Sequence, residues 1–594
     1  MLKSQLAVIS EYVLMRDGVR LAASTWLTRE ENHKKEQYPA VLISTRYWRG
    51  IAYQPGDESQ QVYYSFALAC LKKGYRLVVV DARGSGASYG SRMAEVDYAE
   101  AEDIGELVDW VTQQPWSDGR VVKVGVSYTA ITALYGMLTA SSALKVSVCR
   151  APDFDMYRHL FAPGGIVNRW FVKYWGAYTK ALDTNDVEAM FNCGYMAPPD
   201  EGYTHILGVQ PVDIDSDSSL LDRAINEHQQ NFNIGNHVDY LDFIEDFISE
   251  KNPPVFDSRF RKRITTNKVP VVIRCGWHDA GTQLGALAMF ETFSHPTHIV
   301  IGPWNHDGSF LVDPFETLTN EQSSASLLES ARSEVFKSFE AYLSLDGCRD
   351  TAPRLVEYYT LGENLWKKTV QWPLPQTHMK QLYLSEKNLL SGLKPEDDQG
   401  FDHYRVDPDT TTGVVNRWHA QASNQPVYFP DRRQEDNKLM VYDSAPLESD
   451  IEITGHPVVE LFISSTRTDG QFFAYLEMID LVGSVRLLTE GQLRGIHRKV
   501  STKTPPYKMF GPYHSLKKID AMPLVPEEIA LITFDLLPIS VLLPKGYRIR
   551  LAIAGADSDT FAHIKGLEKS EWEIQRNRAH PSSIHLPIIA RTKD

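Results

Sequence analysis

Val124-Gly125-Val126-Ser127-Tyr128-Thr129-Ala130 sits between two segments of opposite character. Before it, residues 121–125 read as a short strand. After it, residues 128–138 are small and apolar, suited to a tightly packed helix. A strand that turns sharply into a helix crowds its own backbone, so the turn needs small neighbours. The residue at its tip is lifted above the sheet at the helix N-terminus. Ser127 is therefore a candidate nucleophile. The Gly-x-Ser spacing alone is weak in a chain with 37 glycines, and Gly86-Ala87-Ser88 repeats it inside a loop. A serine that only caps a helix is the competing reading; the strand-to-helix context favours the nucleophile.

Strands and helices alternate around this turn. Residues 9–15 and 19–26 flank Asp17-Gly18, a turn pair suited to a hairpin. Residues 40–45 and 76–81 are apolar runs of the kind buried on both sheet faces, and 144–149 completes the series. Ile104, Leu107, Val108 and Val111 fall on one face of a helix. This rhythm predicts a parallel sheet with helices on its faces. It breaks at residue 153, where aromatic-rich helical stretches begin, and resumes with strands over 269–275 and 298–302. A helix over 327–343 closes the unit. Residues 1–152 and 266–350 are thus two parts of one core, and 153–265 a helical cap inserted between them. From 351 to 594, short β-rich segments such as 355–361, 458–464, 472–479 and 547–553 predict a β-sandwich or jelly roll.

Two further segments follow predicted core strands: Gly276-Trp277-His278-Asp279 and Gly302-Pro303-Trp304-Asn305-His306-Asp307. In parallel α/β sheets, catalytic groups gather beyond the carboxyl ends of strands. The chain order Ser, Asp, His is that expected of α/β-hydrolases. Ser127 would attack a carbonyl, and His306, a group that ordinarily titrates near 6.5, would take its proton. Asp279 would hold the imidazole tautomer and stabilise the imidazolium. His278 and Asp307 compete for these roles.

With these motifs in place the chain resembles the CocE/NonD-type serine hydrolases, a group that includes cocaine esterase, X-Pro dipeptidyl-peptidases and α-amino-acid ester hydrolases. The resemblance rests on Arg16-Asp17-Gly18-Val19-Arg20-Leu21, Asp81-Ala82-Arg83-Gly84-Ser85-Gly86-Ala87-Ser88 and the three segments above. Ala445-Pro446-Leu447 through Ile453-Thr454-Gly455 and Leu488-Thr489-Glu490-Gly491 extend it towards the C-terminus. It implies an α/β-hydrolase core with an inserted helical cap and a C-terminal all-β jelly-roll domain. It also implies a Ser127–Asp279–His306 triad, with Tyr47 and the Tyr128 backbone N–H as the oxyanion hole. Two such donors each supply about 10²–10³ in rate. Trp48, Phe161, Trp170, Phe171, Trp175 and Trp277 are candidate walls of an apolar substrate pocket.

The expected activity is cleavage of a carboxylic ester or amide through an acyl-enzyme. X-Pro dipeptidyl-peptidase and β-lactam acylase are alternatives within catalysis, and a carbohydrate- or partner-binding protein is the alternative outside it. The chain departs from the resemblance in two places. Ala130 stands where members often have glycine. Asp279 is followed by Ala280, Gly281 and Thr282, whereas the α-amino-acid ester hydrolases carry substrate-binding acidic residues there. Gly84-Ser85-Gly86 lacks the third glycine of a dinucleotide fingerprint, so Asp81 and Arg83 are expected to brace their loop instead.

Composition fits this picture. The 594 residues are 43% hydrophobic and 23% charged, as in a globular protein. Lys and Arg number 61 against 76 Asp and Glu, a net charge of −15, and no long basic run argues for nucleic acid. Five scattered cysteines without a C-x-x-C pair point away from a zinc site or disulfide framework. No metal or organic cofactor is expected. The N-terminal stretch lacks the apolar core of a signal peptide, and no run approaches a membrane span. The expectation is a cytoplasmic protein acting on a small molecule, with no membrane or nucleic-acid partner and with homo-oligomerisation left open.

Overall fold

The computed structural model describes residues 6–590 except 29–35, 55–61, 96, 197–202, 240, 248–257, 307, 316–323, 344–351, 422–426 and 568. The hairpin over Asp17-Gly18 forms: β1 (Leu6–Leu14) and β2 (Arg20–Thr28) pair antiparallel. Next come β3 (Tyr38–Thr45) and β4 (Ile51–Tyr53), then α1 (Tyr64–Lys72) and β5 (Arg76–Asp81). All six residues of β5 are buried, as its unbroken apolar run predicts. The helix α2 (Tyr98–Thr112) is capped by Asp97, whose carboxylate accepts from the Ala99 N–H. β6 (Ser117–Val126) turns directly into α3 (Tyr128–Leu134), and β7 (Leu144–Arg150) follows.

The insertion carries α4 (Arg169–Asp183), α5 (Val187–Asn192), β8 (Ile206–Val209), α6 (Ser219–His228) and α7 (Ser258–Asn267). It is not wholly helical, because β8 pairs antiparallel with β4 in a separate two-stranded ribbon. Its last helix returns to the core, where Arg263 and Asn267 both donate to the Leu138 carbonyl. The core then resumes with β9 (Val271–Gly276), α8 (Thr282–Thr292), β10 (Thr297–Gly302) and α9 (Ser324–Leu343), followed by β11 (Leu355–Thr360) and β12 (Leu365–Thr369).

These strands make one ten-stranded sheet in the order β1-β2-β5-β3-β6-β7-β9-β10-β11-β12, parallel from β5 to β11. Alternate residues serve opposite faces. Leu77 and Val79 pack with Phe336 and Phe339 of α9, whereas Val78 and Val80 pack with residues of α2 and α3. Residues 355–361, read from the sequence as part of the C-terminal β domain, instead extend this sheet. β11 lies in parallel on β10, and β12 folds back antiparallel. β-propensity alone does not say which sheet a strand joins.

Beyond β12 the described chain is all-β, a thirteen-stranded sheet system running from Thr377–Ser385 to Ser583–Ile589. Its strands are mostly antiparallel, and Gln471–Ile479, next to the last strand of the order, is buried throughout. The architecture is the α/β-hydrolase core with a C-terminal jelly-roll domain. No helix of the described residues is long and apolar enough to cross a membrane.

Candidate active site

The turn from β6 into α3 has the backbone that a nucleophile elbow requires. Ser127 sits at φ 58°, ψ −129°, a strained conformation that costs on the order of 1–3 kcal/mol for a residue with a Cβ. Its N–H is held by the Arg150 carbonyl at the end of β7, 3.0 Å away. Gly125 is small for a hard reason: a Cβ there would lie 2.0 Å from the Thr129 carbonyl oxygen. Ala130 is fully buried and its N–H bonds the Ser127 carbonyl at 2.8 Å, so the helix continues without the glycine.

Asp279 and His306 meet. The His306 Nδ1 lies 2.8 Å from the Asp279 Oδ1, both side chains being buried. Asp279 also accepts from the Gln421 Nε2 at 2.7 Å and the Thr282 Oγ1 at 3.0 Å. Three donors on one carboxylate fix its rotamer. The loops bearing these residues touch closely, since a Cβ on Gly276 would lie 1.9 Å from the Trp304 carbonyl oxygen. His278 is elsewhere. Its Nε2 lies 2.9 Å from the Leu488 carbonyl of the all-β domain, and burial lowers its pKa to about 3. Asp307 lies outside the described residues.

Tyr47 follows β3, and every residue around it is pinned. Arg46 forms a buried ion pair with Glu95 at 2.6 Å and reaches Asp183 of α4 at 3.6 Å. The Trp48 indole donates to the Leu182 carbonyl at 3.1 Å. Arg49 pairs with Asp81 at 3.3 Å and donates to the Gln210 and Pro211 carbonyls. Breaking one partner of such a buried pair costs about 3–5 kcal/mol, so this brace holds Tyr47 rigidly. The Tyr47 hydroxyl accepts from the Trp175 indole at 3.3 Å. Burial raises its pKa, opposed by hydrogen bonds with Trp175 and Ser127, so the phenol remains a donor at neutral pH. The Tyr128 side chain turns into the core and donates to Glu100 at 2.7 Å, leaving its N–H at the α3 N-terminus, where first-turn N–H groups have no intrahelical acceptor.

The aromatic candidates divide. Phe161, Phe171 and Trp175 form one cluster, with Phe171 stacked on Trp175 at 5.4 Å, and Trp175 leads to Tyr47. Trp170 stacks on His419 at 4.1 Å, where the cap meets the C-terminal half. Trp48 and Trp277 are fixed in packing, the latter donating to the Tyr359 carbonyl of β11 at 2.7 Å. Asp81 and Arg83 brace their loop. Asp81 accepts from the Arg49 and Ala87 N–H groups, and Arg83 pairs with Asp17 and Asp103.

Gln421, Thr282 and Asp153 were not among the sequence candidates. Thr282 had a signal, its spacing of three from Asp279, and Asp153 follows a core strand end as the others do. Gln421 had none, because 142 residues separate it from the carboxylate it bonds. Among the described residues, no group of three or more His, Cys, Asp or Glu side chains is arranged to hold a metal ion.

Known proteins share this architecture. Residues 17–308 match the family described as X-Pro dipeptidyl-peptidase (S15 family), and residues 348–584 match the X-Pro dipeptidyl-peptidase C-terminal non-catalytic domain. A Mycobacterium tuberculosis protein named as a serine esterase is 36% identical, over 97% of this chain and 95% of its own. Cocaine esterase of Rhodococcus sp. is 24% identical, over 98% of each chain. Among solved structures, a CocE/NonD family hydrolase from Staphylococcus aureus superposes with a TM-score of 0.68 at 18% identity, covering 98% of this chain and 94% of its own. An α-amino acid ester hydrolase gives 0.69 at 20% identity, covering 98% and 97%.

Proposed function

Because the chain belongs to the S15 family, among its CocE/NonD-type serine hydrolases, we propose that it cleaves carboxylic esters through an acyl-enzyme on Ser127. The observation that carries this reading is the buried 2.8 Å contact between His306 and Asp279 at the sheet edge that also bears the strained Ser127. Ser127 attacks the acyl carbonyl while His306 takes its proton, and the same imidazole then protonates the departing alcohol. Asp279 keeps the Nδ1 of His306 protonated, so that Nε2 faces the serine as the base. The Tyr47 hydroxyl and Tyr128 N–H receive the oxyanion, and water releases the acyl group by the same steps in reverse order.

An ester is favoured over an X-Pro amide because Asp279 is followed by Ala280, Gly281 and Thr282, with no acid there to bind a substrate amine. The aromatic cluster of Phe161, Phe171 and Trp175 supplies an apolar wall beside Tyr47. A fluorophosphonate probe tests the proposal, since it traps only activated serines. Ser127 is expected to be the labelled residue on peptide mapping, and an unlabelled folded protein would overturn the reading. A panel of nitrophenyl esters, X-Pro anilides and β-lactams then ranks the substrate classes. Esters are expected to turn over fastest.

Tyr47→Phe separates the oxyanion role from a wall role. A donor aimed at the transition state acts on kcat, whereas a wall acts on KM. The expected result is a kcat lowered about 10²-fold with KM within a few-fold of wild type. A change confined to KM would assign Tyr47 to the pocket instead.

A further inference from the structure

Five consecutive parallel strands of the core sheet, β3, β6, β7, β9 and β10, each lead into a residue near the candidate site. Four of these residues are Tyr47, Ser127, Asp279 and His306. The fifth, beyond the middle strand β7, is Asp153. The end of β7 is tied to both neighbours: the Ser127 N–H donates to the Arg150 carbonyl, and the Ala151 N–H donates to the Arg274 carbonyl at 2.7 Å. Asp153 therefore starts from between the strand that bears the nucleophile and the strand that bears the acid.

We propose that Asp153 is a positioning residue of the reaction, a second carboxylate on His306 that stabilises the imidazolium formed when the serine gives up its proton. This rests on the triad reading above. Asp153 is 5% exposed, and its Oδ1 is buried with no hydrogen-bond partner among the described residues. A buried carboxyl oxygen without a donor costs free energy unless something offsets it. Asp279, by contrast, is satisfied by His306, Gln421 and Thr282.

The titratable groups facing Asp153 are His306 after β10, Asp279 after β9 and Tyr195 of the cap. Among the described residues no Arg or Lys acts on it, and His306 is the group whose positive charge opposes its own. Burial raises the Asp153 pKa to about 7, with Asp279 adding to the rise and His306 opposing it. The arrangement suits a group whose ionised form is favoured while the imidazole is charged.

The sign follows from the ionised form of Asp153, which the charged imidazole favours. A carboxylate beside an imidazole favours the imidazolium and raises its pKa. Removing it makes His306 a weaker base. In Asp153→Asn the acid limb of the kcat/KM profile is expected to move down by about one pH unit, and the plateau to fall about three- to tenfold. Asp153→Glu is expected to return the limb towards its wild-type position.

The experiment is the pH profile of nitrophenyl ester hydrolysis from pH 5 to 9 for wild type and both variants, with thermal melting to establish folding. An Asn limb within about 0.2 pH unit of wild type overturns the proposal even if kcat falls, because lost turnover alone does not report a charge acting on His306. If the Asn variant does not fold, Asp153→Ser is read in the same way. Fluorophosphonate labelling of wild-type Ser127 keeps the two readings apart. Without labelling the triad reading fails; labelling with an unmoved limb defeats only the role of Asp153.

Discussion

Ser127→Ala is expected to lower kcat on a nitrophenyl ester by at least about 10³-fold while the protein stays folded. On the proposed reading the hydroxyl oxygen forms the acyl-enzyme bond, and no neighbour can take its place. The neighbouring hydroxyl, Thr129 Oγ1, is occupied by the Val126 carbonyl and N–H, each at 2.7 Å. Alanine retains the Cβ and so the backbone strain at φ 58°, which leaves stability close to wild type. Residual turnover reflects binding and the oxyanion donors acting on water alone. Near-wild-type kcat in the purified variant would remove Ser127 from the chemistry.

The second large effect is at Asp279. Asp279→Asn is expected to lower kcat about 10³–10⁴-fold with a modest loss of thermal stability. Three donors converge on the carboxylate, from His306, Gln421 and Thr282. An amide offers one acceptor and one donor group in the same volume. If its oxygen stays with Thr282 at the Oδ2 position, its NH₂ takes the Oδ1 position shared by His306 and Gln421, faces the imidazole and selects the tautomer in which Nε2 carries the proton. The base is then protonated where it should accept. A loss smaller than about tenfold would mean that another group orients His306, and Asp153 is the carboxyl that faces it.

Much of this site follows from local rules. The Asp17-Gly18 hairpin, the periodic face of α2 and the apolar runs of β3, β5 and β7 depend on neighbouring residues, so they are legible in one dimension. The elbow is legible for the same reason: a glycine, a serine and small neighbours have few other uses between strand and helix. What escapes is the pairing of distant segments. Nothing local tells β11 to join β10 rather than the C-terminal sheet. The insertion reads as helical because four residues, 206–209, are too short to signal a strand before β4 is seen beside them. Gln421 is invisible for the same reason, since its meaning is the carboxylate it reaches.

The Gln421 contact makes Asp279, the proposed partner of His306, joint property of the two halves of the chain. Asp279 comes from the first half, and its amide donor from a short helical turn between strands of the C-terminal β domain. Neither half is then a self-sufficient cassette. A hydrolase shorn of its C-terminal partner would keep its serine, histidine and aspartate and still lose a clamp on the aspartate. A substitution that displaces Gln421 would then be felt at Asp279 as well as in folding, so the C-terminal domain reaches the proposed site through one amide.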